Sequence, residues 1–62
     1  MIDLEQLLTS KEVAETLQCT PKHVNTLRKS GDLPAMAIGG MWRYDPRDLR
    51  QYVERQRRAG AQ

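Results

Sequence analysis

The sequence predicts a mainly α-helical domain with one small β-hairpin, and three observations support this fold class. Two short apolar stripes with helical periodicity each follow a helix-capping residue, and only about three residues separate the two predicted helices. A Gly-Gly pair at positions 39 and 40 lies between two short runs typical of strands. A third helical pattern begins at an Asp-Pro pair. With 62 residues in total, the chain has room for one domain and one small core.

The first helix is predicted to begin after Thr9. Glu12 follows three positions later, which is the spacing of a capping box. The helix is expected to end near Gln18, and its apolar stripe comprises Val13, Ala14 and Leu17. Residues 1–8 are half apolar, so we expect them to pack against the domain as an N-terminal arm or a single turn.

The second helix is predicted to follow almost at once. Thr20 is its expected N-cap, and Pro21 stands at the first helical position, where its missing N–H has no partner to lose. Val24 and Leu27 form the apolar face, and Gly31 provides a left-handed stop. Helices joined this tightly must cross at a steep angle.

The hairpin is predicted around Gly39 and Gly40, because glycine tolerates the positive φ that a primed turn requires at both central positions. Strand alternation places Trp42 and Tyr44 on one face, and Met41 and Arg43 on the other. Only three aromatic residues are present, and a small core needs their bulk, so both aromatic side chains are expected inside. A base-stacking pair for single-stranded nucleic acid is the alternative.

The third helix is predicted to begin at Asp45, as N-cap, with Pro46 in the first turn. Its inner face comprises Leu49, Tyr52, Val53 and Gln56. We expect residues 59–62 to form a frayed tail. The resulting order of helix, tight turn, helix, hairpin and helix is that of a small winged helix-turn-helix spanning residues 1–62 as a single domain.

Composition excludes several classes of function. Apolar runs are too short for a membrane span, and no targeting segment opens the chain, so a cytoplasmic protein is expected. The single Cys19 cannot form an internal disulfide and is expected to pack at the turn between the helices. One Cys and one His cannot build a zinc site, and the scattered carboxylates have no catalytic spacing. We therefore expect a binding module without enzymatic activity, metal, cofactor or small-molecule ligand.

The charge distribution points to an anionic partner. Residues 1–19 carry a net charge of −3, and residues 20–62 carry +5. The second helix of a helix-turn-helix lies in the DNA major groove, and no acidic residue occurs between Thr20 and Gly31. A solvated polar face is the alternative. The candidate DNA-binding residues of this helix are Thr20, Lys22, His23, Asn25, Thr26, Arg28 and Lys29, among which Asn25 could bond an adenine edge through two atoms.

The hairpin is the second candidate contact with DNA. Glycine at its tip allows the backbone to approach phosphates or enter the minor groove. The candidate residues of this wing are Gly39, Gly40, Met41 and Arg43. Further candidate phosphate contacts are Lys11, Arg55, Arg57 and Arg58, although the arginine cluster would equally suit a solvated helix end.

Residues 7–53 resemble the excisionase-type helix-turn-helix domains, the recombination directionality factors of phages and mobile elements, which are related to the winged helix of MerR-type regulators. The matching signature is Leu8-Thr9, Glu12-Val13-Ala14, Val24, Leu27, Gly31, Leu33-Pro34, Ile38-Gly39-Gly40, Trp42-Arg43, Asp48-Leu49 and Tyr52. Two positions depart from the family pattern. Gln18 stands where glycine is usual, and Met41 stands where a basic or polar residue is common.

The resemblance implies binding to double-stranded DNA, with the second helix in the major groove and the wing in the adjacent minor groove. It also implies cooperative binding of neighbouring copies to tandem sites, DNA bending, and partnership with a phage integrase during prophage excision. Two other functions are compatible with the residues. One is a small transcriptional regulator of the same fold acting at a promoter, and the other is a protein-interaction adaptor in a phage complex.

Overall fold

A computed structural model of the protein describes residues 6–60 and contains three helices and one hairpin. Helix α1 spans Ser10–Leu17 and helix α2 spans Pro21–Ser30. Strands β1, Met36–Ile38, and β2, Met41–Arg43, form an antiparallel pair, and helix α3 spans Pro46–Gly60. This order confirms the predicted fold class, a mainly helical, small winged helix-turn-helix.

Side-chain caps start the first two helices, as the sequence predicts. Thr9 Oγ1 accepts a hydrogen bond from the Glu12 backbone N–H at 3.1 Å, and Glu12 Oε1 accepts one from the Thr9 N–H at 3.0 Å. These two bonds complete the capping box. Thr20 Oγ1 accepts from the His23 N–H at 3.1 Å, with Pro21 in the first turn of α2. Local chemistry therefore sets where both helices begin.

Both helices end in a left-handed residue, but only one of these residues is glycine. Gly31 ends α2 with φ 86°, which glycine adopts without strain. Gln18 ends α1 with φ 58°, although a side chain disfavours this region. The turn between the two helices therefore holds local backbone strain at Gln18.

Replacing Gln18 with glycine is expected to stabilise the fold by about 1 kcal/mol, because glycine lacks the Cβ clash of the left-handed region. Thermal or urea unfolding measures the change. Gln18→Ala is the matched control, since alanine removes the long side chain but keeps Cβ. Equal stability of the glycine and alanine variants would contradict strain at this position.

The hairpin turns at two glycines with positive φ, 60° at Gly39 and 79° at Gly40. This geometry confirms the predicted turn, in which both central residues need positive φ. The register pairs Ile38 with Met41 next to the turn. Beyond the strands, Leu8 and Tyr44 exchange two backbone hydrogen bonds of 2.8 Å each, so the segment before α1 joins the base of the hairpin.

The core lies where α1, α2, the hairpin base and α3 meet. Four of its side chains are fully buried, namely Val13, Val24, Leu33 and Tyr44. Ala14, Leu27 and Leu49 complete the buried cluster, and the half-buried Leu8, Leu17, Cys19, Tyr52 and Val53 pack against it. The packing of Leu8 confirms that the end of the predicted arm lies on the domain, whereas residues 1–5 are outside the described part of the chain.

Three details differ from the expectations. Trp42 is 40% exposed, so the expected burial of both Trp42 and Tyr44 is wrong for Trp42. Gln56 is exposed, whereas an inward position was expected. Helix α3 continues through Gly60, past the point where a frayed tail was expected to begin, and residues 61–62 lie outside the described residues.

Helix α3 begins at a charged cap, as predicted. Asp45 Oδ1 accepts a hydrogen bond of 2.8 Å from the Arg47 backbone N–H, and Asp45 Oδ2 accepts one of 2.8 Å from Arg47 Nη2. These side-chain and backbone bonds from Arg47 hold the pKa of Asp45 below its usual range. The same pairing raises the pKa of Arg47.

The lowered pKa predicts a stability difference at low pH. The folded state favours ionised Asp45, so this contribution is fully present above about pH 4, the unfolded pKa, and is lost as the pH falls through the lower folded pKa. Asp45→Asn keeps a capping oxygen but cannot ionise. We expect the melting temperature of the original protein to fall more steeply below pH 4 than that of Asp45→Asn. Parallel profiles of melting temperature against pH would contradict this role.

Candidate nucleic-acid interface

One face of α2 is exposed, polar and cationic. Lys22, Thr26 and Lys29 are exposed, and Asn25 is half-buried beside them. Lys22 and Lys29 are seven positions apart, so they lie on the same side of the helix. Within residues 6–60, ion pairs join Arg47 to Asp45 and Arg57 to Glu54, and neither involves α2. The lysine charges on this face are therefore available to an anionic partner.

Arg28 lies between this face and the hairpin. Its Nε donates a 3.1 Å hydrogen bond to Asn25 Oδ1, and its Nη2 donates to the same oxygen. The guanidinium carbon stands 4.1 Å from the centroid of the Trp42 ring, a cation–π contact. Asn25, Arg28 and Trp42 thus form a continuous row from the second helix to the second strand.

The row was not foreseen from the sequence. Arg28 was predicted as a DNA contact of α2, and Trp42 was expected inside the core. Arg28 is half-buried, and its guanidinium lies over the ring of an exposed indole. No local pattern could reveal this contact, because it joins residues that are fourteen positions apart.

The tip of the wing is open and apolar. Gly39 and Gly40 have no neighbouring atoms within 4 Å of where a Cβ would stand. Ile38 is 46% and Met41 is 56% exposed on the two sides of the turn. Arg43 is half-buried, and its guanidinium donates to the Trp42 carbonyl at 3.0 Å and contacts the Met41 sulfur at 3.7 Å. Gly39, Gly40 and Met41 therefore lie at the tip of the hairpin, whereas Arg43 pairs with Met36 at the other end of the strands and reaches back to the Met41 side chain.

An open groove of about 400 Å³ brings together two of the predicted phosphate contacts. Lys11, in the first turn of α1, and Arg43, on β2, both line it. Pro21, at the start of α2, lies on the same groove, next to the exposed cap Thr20. Cations from the first helix and from the wing thus flank the start of the second helix.

Other predicted site residues lie elsewhere. His23 and Arg57 line a second open groove, of about 420 Å³, between α2 and α3. His23 is about 140° around the helix from Arg28, because the two are five positions apart. Arg55 donates a 2.7 Å hydrogen bond to the Asp32 carbonyl, and Arg58 is exposed near the end of α3. The structure therefore does not bring these four residues into the groove that Lys11 and Arg43 line.

One of three comparisons with known proteins gives a match, and this match agrees with the architecture. Neither the comparison with curated proteins nor that with solved structures gives a match. Among residues 6–60, no helix combines the length and apolar character that crossing a bilayer requires. A family profile described as a helix-turn-helix domain matches residues 7–57, which include both helices of the motif, the wing and most of α3. This domain indicates sequence-specific binding to double-stranded DNA. The chain belongs to the helix-turn-helix domain family.

Proposed function

We propose that this protein is an excisionase, an architectural DNA-binding protein that acts without catalysis of its own. In this role, copies bind tandem sites cooperatively and bend the DNA, and a phage integrase then excises the prophage. The observation that carries the proposal is the pairing of a cationic reading helix, α2, with a Gly-Gly wing that is fixed to it through Arg28 and Trp42. The resemblance to excisionase-type domains supports the specific biological role.

The size of the interface supports cooperative binding. A single small DNA-binding module buries only about 600–1,000 Å² of protein surface on DNA. One reading helix and one short wing form an interface of this small size. Stable occupancy of a DNA site therefore needs additional contacts with neighbouring copies or with the integrase. The exposed arginine-rich end of α3 offers one surface for such contacts.

Footprinting across the DNA that flanks the protein's own gene tests the proposal, together with a bending assay on the protected fragments. The expected result is several adjacent protected repeats that fill cooperatively, with a bend, beside an integrase attachment site. A duplex carrying one isolated repeat is the control and should bind more weakly. A single protected site over a promoter, without a bend, would identify a transcriptional regulator instead.

Salt dependence provides a second test. If each protomer neutralises about 3–5 phosphates, log affinity should fall against log salt concentration with a slope of about −3 to −5. Titrations of a single-site duplex at several salt concentrations measure this slope. A slope near zero would contradict electrostatic binding to duplex DNA and would favour the adaptor function.

A further inference from the structure

We infer that Asn25 reads DNA as a hydrogen-bond donor only, selecting guanine and rejecting cytosine on the strand it contacts, and that Arg28 is the positioning residue that imposes this preference. The inference rests on the proposed function only in so far as α2 docks in the major groove. It changes the sequence-based expectation for Asn25, which was a two-atom bond to adenine.

The side-chain oxygen of Asn25 is already paired within the protein. Arg28 donates to it from two nitrogens, Nε and Nη2, and a carbonyl oxygen has two lone pairs. A guanidinium has only donors, so the Asn25 atom that faces Arg28 must be the oxygen and not the amide nitrogen. The orientation of the Asn25 amide is therefore determined, and its acceptor is occupied.

Arg28 is held in place by the Trp42 ring. Its guanidinium lies 4.1 Å from the centroid of the Trp42 ring. Planar guanidinium groups stack on aromatic faces, and the ring attracts the cation. Because Trp42 belongs to β2 and Asn25 to α2, the wing supports the orientation of a side chain on the reading helix.

The amide nitrogen of Asn25 is the group that remains for DNA. Asn25 Nδ2 carries two N–H donors for a base edge. In the major groove, guanine presents two acceptors, N7 and O6, adenine and thymine present one each, and cytosine presents the N4 amino donor. The two N–H donors of Asn25 therefore fit guanine best. Against cytosine, they would face the N4 amino group, which is also a donor. Bidentate bonding to adenine needs the Asn25 oxygen as acceptor, and Arg28 occupies it.

Removing the donors of Arg28 should therefore switch the preference. Arg28→Met keeps an unbranched side chain against the Trp42 ring but frees the Asn25 oxygen. Asn25 can then accept from adenine N6 and donate to N7. Asn25→Asp gives an independent variant that keeps Arg28. A carboxylate has acceptor sites left after pairing with Arg28 and has no donor, so cytosine should become acceptable.

The experiment selects bound duplexes from a random-sequence DNA library and compares base frequencies between variants. For the original protein, we expect one position at which guanine is enriched over cytosine by at least about fivefold. Arg28→Met should move this position to adenine, and Asn25→Asp should move it towards cytosine. Asn25→Ala should remove the preference there and leave the other positions unchanged.

Lys29→Met is the matched control for loss of one positive charge on α2. It should weaken binding to all sequences and reduce the salt slope by about 1, without changing any base preference. Circular dichroism of each variant checks that it is folded.

Two results would overturn the inference. One is an adenine preference in the original protein that Arg28→Met leaves unchanged. The other is an Arg28→Met variant that behaves like Lys29→Met, which would make Arg28 a phosphate contact. Failure of the folded original protein to enrich any duplex is a different result, because it would overturn the proposed function itself.

Discussion

Replacing Tyr44 with alanine is expected to remove a large part, and up to all, of the free energy of unfolding of the protein. The Tyr44 side chain has no exposed surface and lies in the core cluster. Truncating a large buried aromatic residue costs about 3–5 kcal/mol. A domain of 62 residues has a total stability of roughly 3–9 kcal/mol at 0.05–0.15 kcal/mol per residue. The loss is comparable with the whole free energy of unfolding.

Thermal melting followed by circular dichroism measures this effect. Tyr44→Phe is the control, because it keeps the ring and removes only the hydroxyl, which accepts a long hydrogen bond of 3.4 Å from Ser10 Oγ. We expect Tyr44→Phe to melt cooperatively within a few degrees of the original protein. A similar melting temperature for Tyr44→Ala would show that Tyr44 contributes little to the core.

Reversing the charge at both Lys22 and Lys29 is expected to weaken DNA binding by roughly 10- to 100-fold on every sequence. Both lysines are exposed on the same side of α2, where no ion pair among the described residues involves them. We predict that both lysines contact phosphates, which carry no sequence information, so the salt slope should also become shallower by about 2. Titration of specific and random duplexes at several salt concentrations measures both effects.

Arg50→Glu provides the matched control for this experiment. Arg50 is an exposed cation on α3 and is outside the predicted contact set. Its reversal changes the net charge by the same amount as one lysine reversal. If Arg50→Glu weakened binding as much as Lys29→Glu does, only the total charge would matter, and a docking role for this face of α2 would be lost.

The elements of this fold were predictable where neighbouring residues determine them. Thr9 with Glu12, Thr20 with Pro21, and Asp45 with Pro46 mark three helix starts through contacts within a few positions. The Gly39-Gly40 pair marks the turn because positive φ is needed at both positions. These signals are local, so the sequence alone contains them.

Contacts between distant parts of the chain were not predictable in the same way. Alternation along the second strand placed Trp42 and Tyr44 on the same face. It could not show that only Tyr44 is buried in the core. The pairing of Leu8 with Tyr44 joins residues 36 positions apart and connects the segment before α1 to the base of the hairpin. Tertiary packing, and not local propensity, decided both outcomes.

In the candidate site, too, local features were predictable from the sequence and contacts between distant residues were not. The sequence predicted Lys22, Thr26 and Lys29 as DNA contacts of α2, and all three side chains are exposed. Periodicity gives the direction of a side chain but not its partner, so it could not show that Arg28 bonds Asn25. The role of Arg28 depends on the position of Trp42 in the wing. That position is set by how the hairpin packs on the rest of the domain.

The hairpin is held at two levels, by the Leu8–Tyr44 backbone pair at its base and by Arg28 against Trp42 higher up. The orientation of the hairpin relative to α2 is therefore fixed before DNA binds. The hairpin loses its conformational freedom when the protein folds, and not when it binds DNA. Such pre-organisation favours affinity, because immobilising each flexible side chain on binding would otherwise oppose it by about 0.5–1.5 kcal/mol. Association with DNA should then show the modest heat-capacity change of two preformed surfaces, and not the large one that accompanies coupled folding.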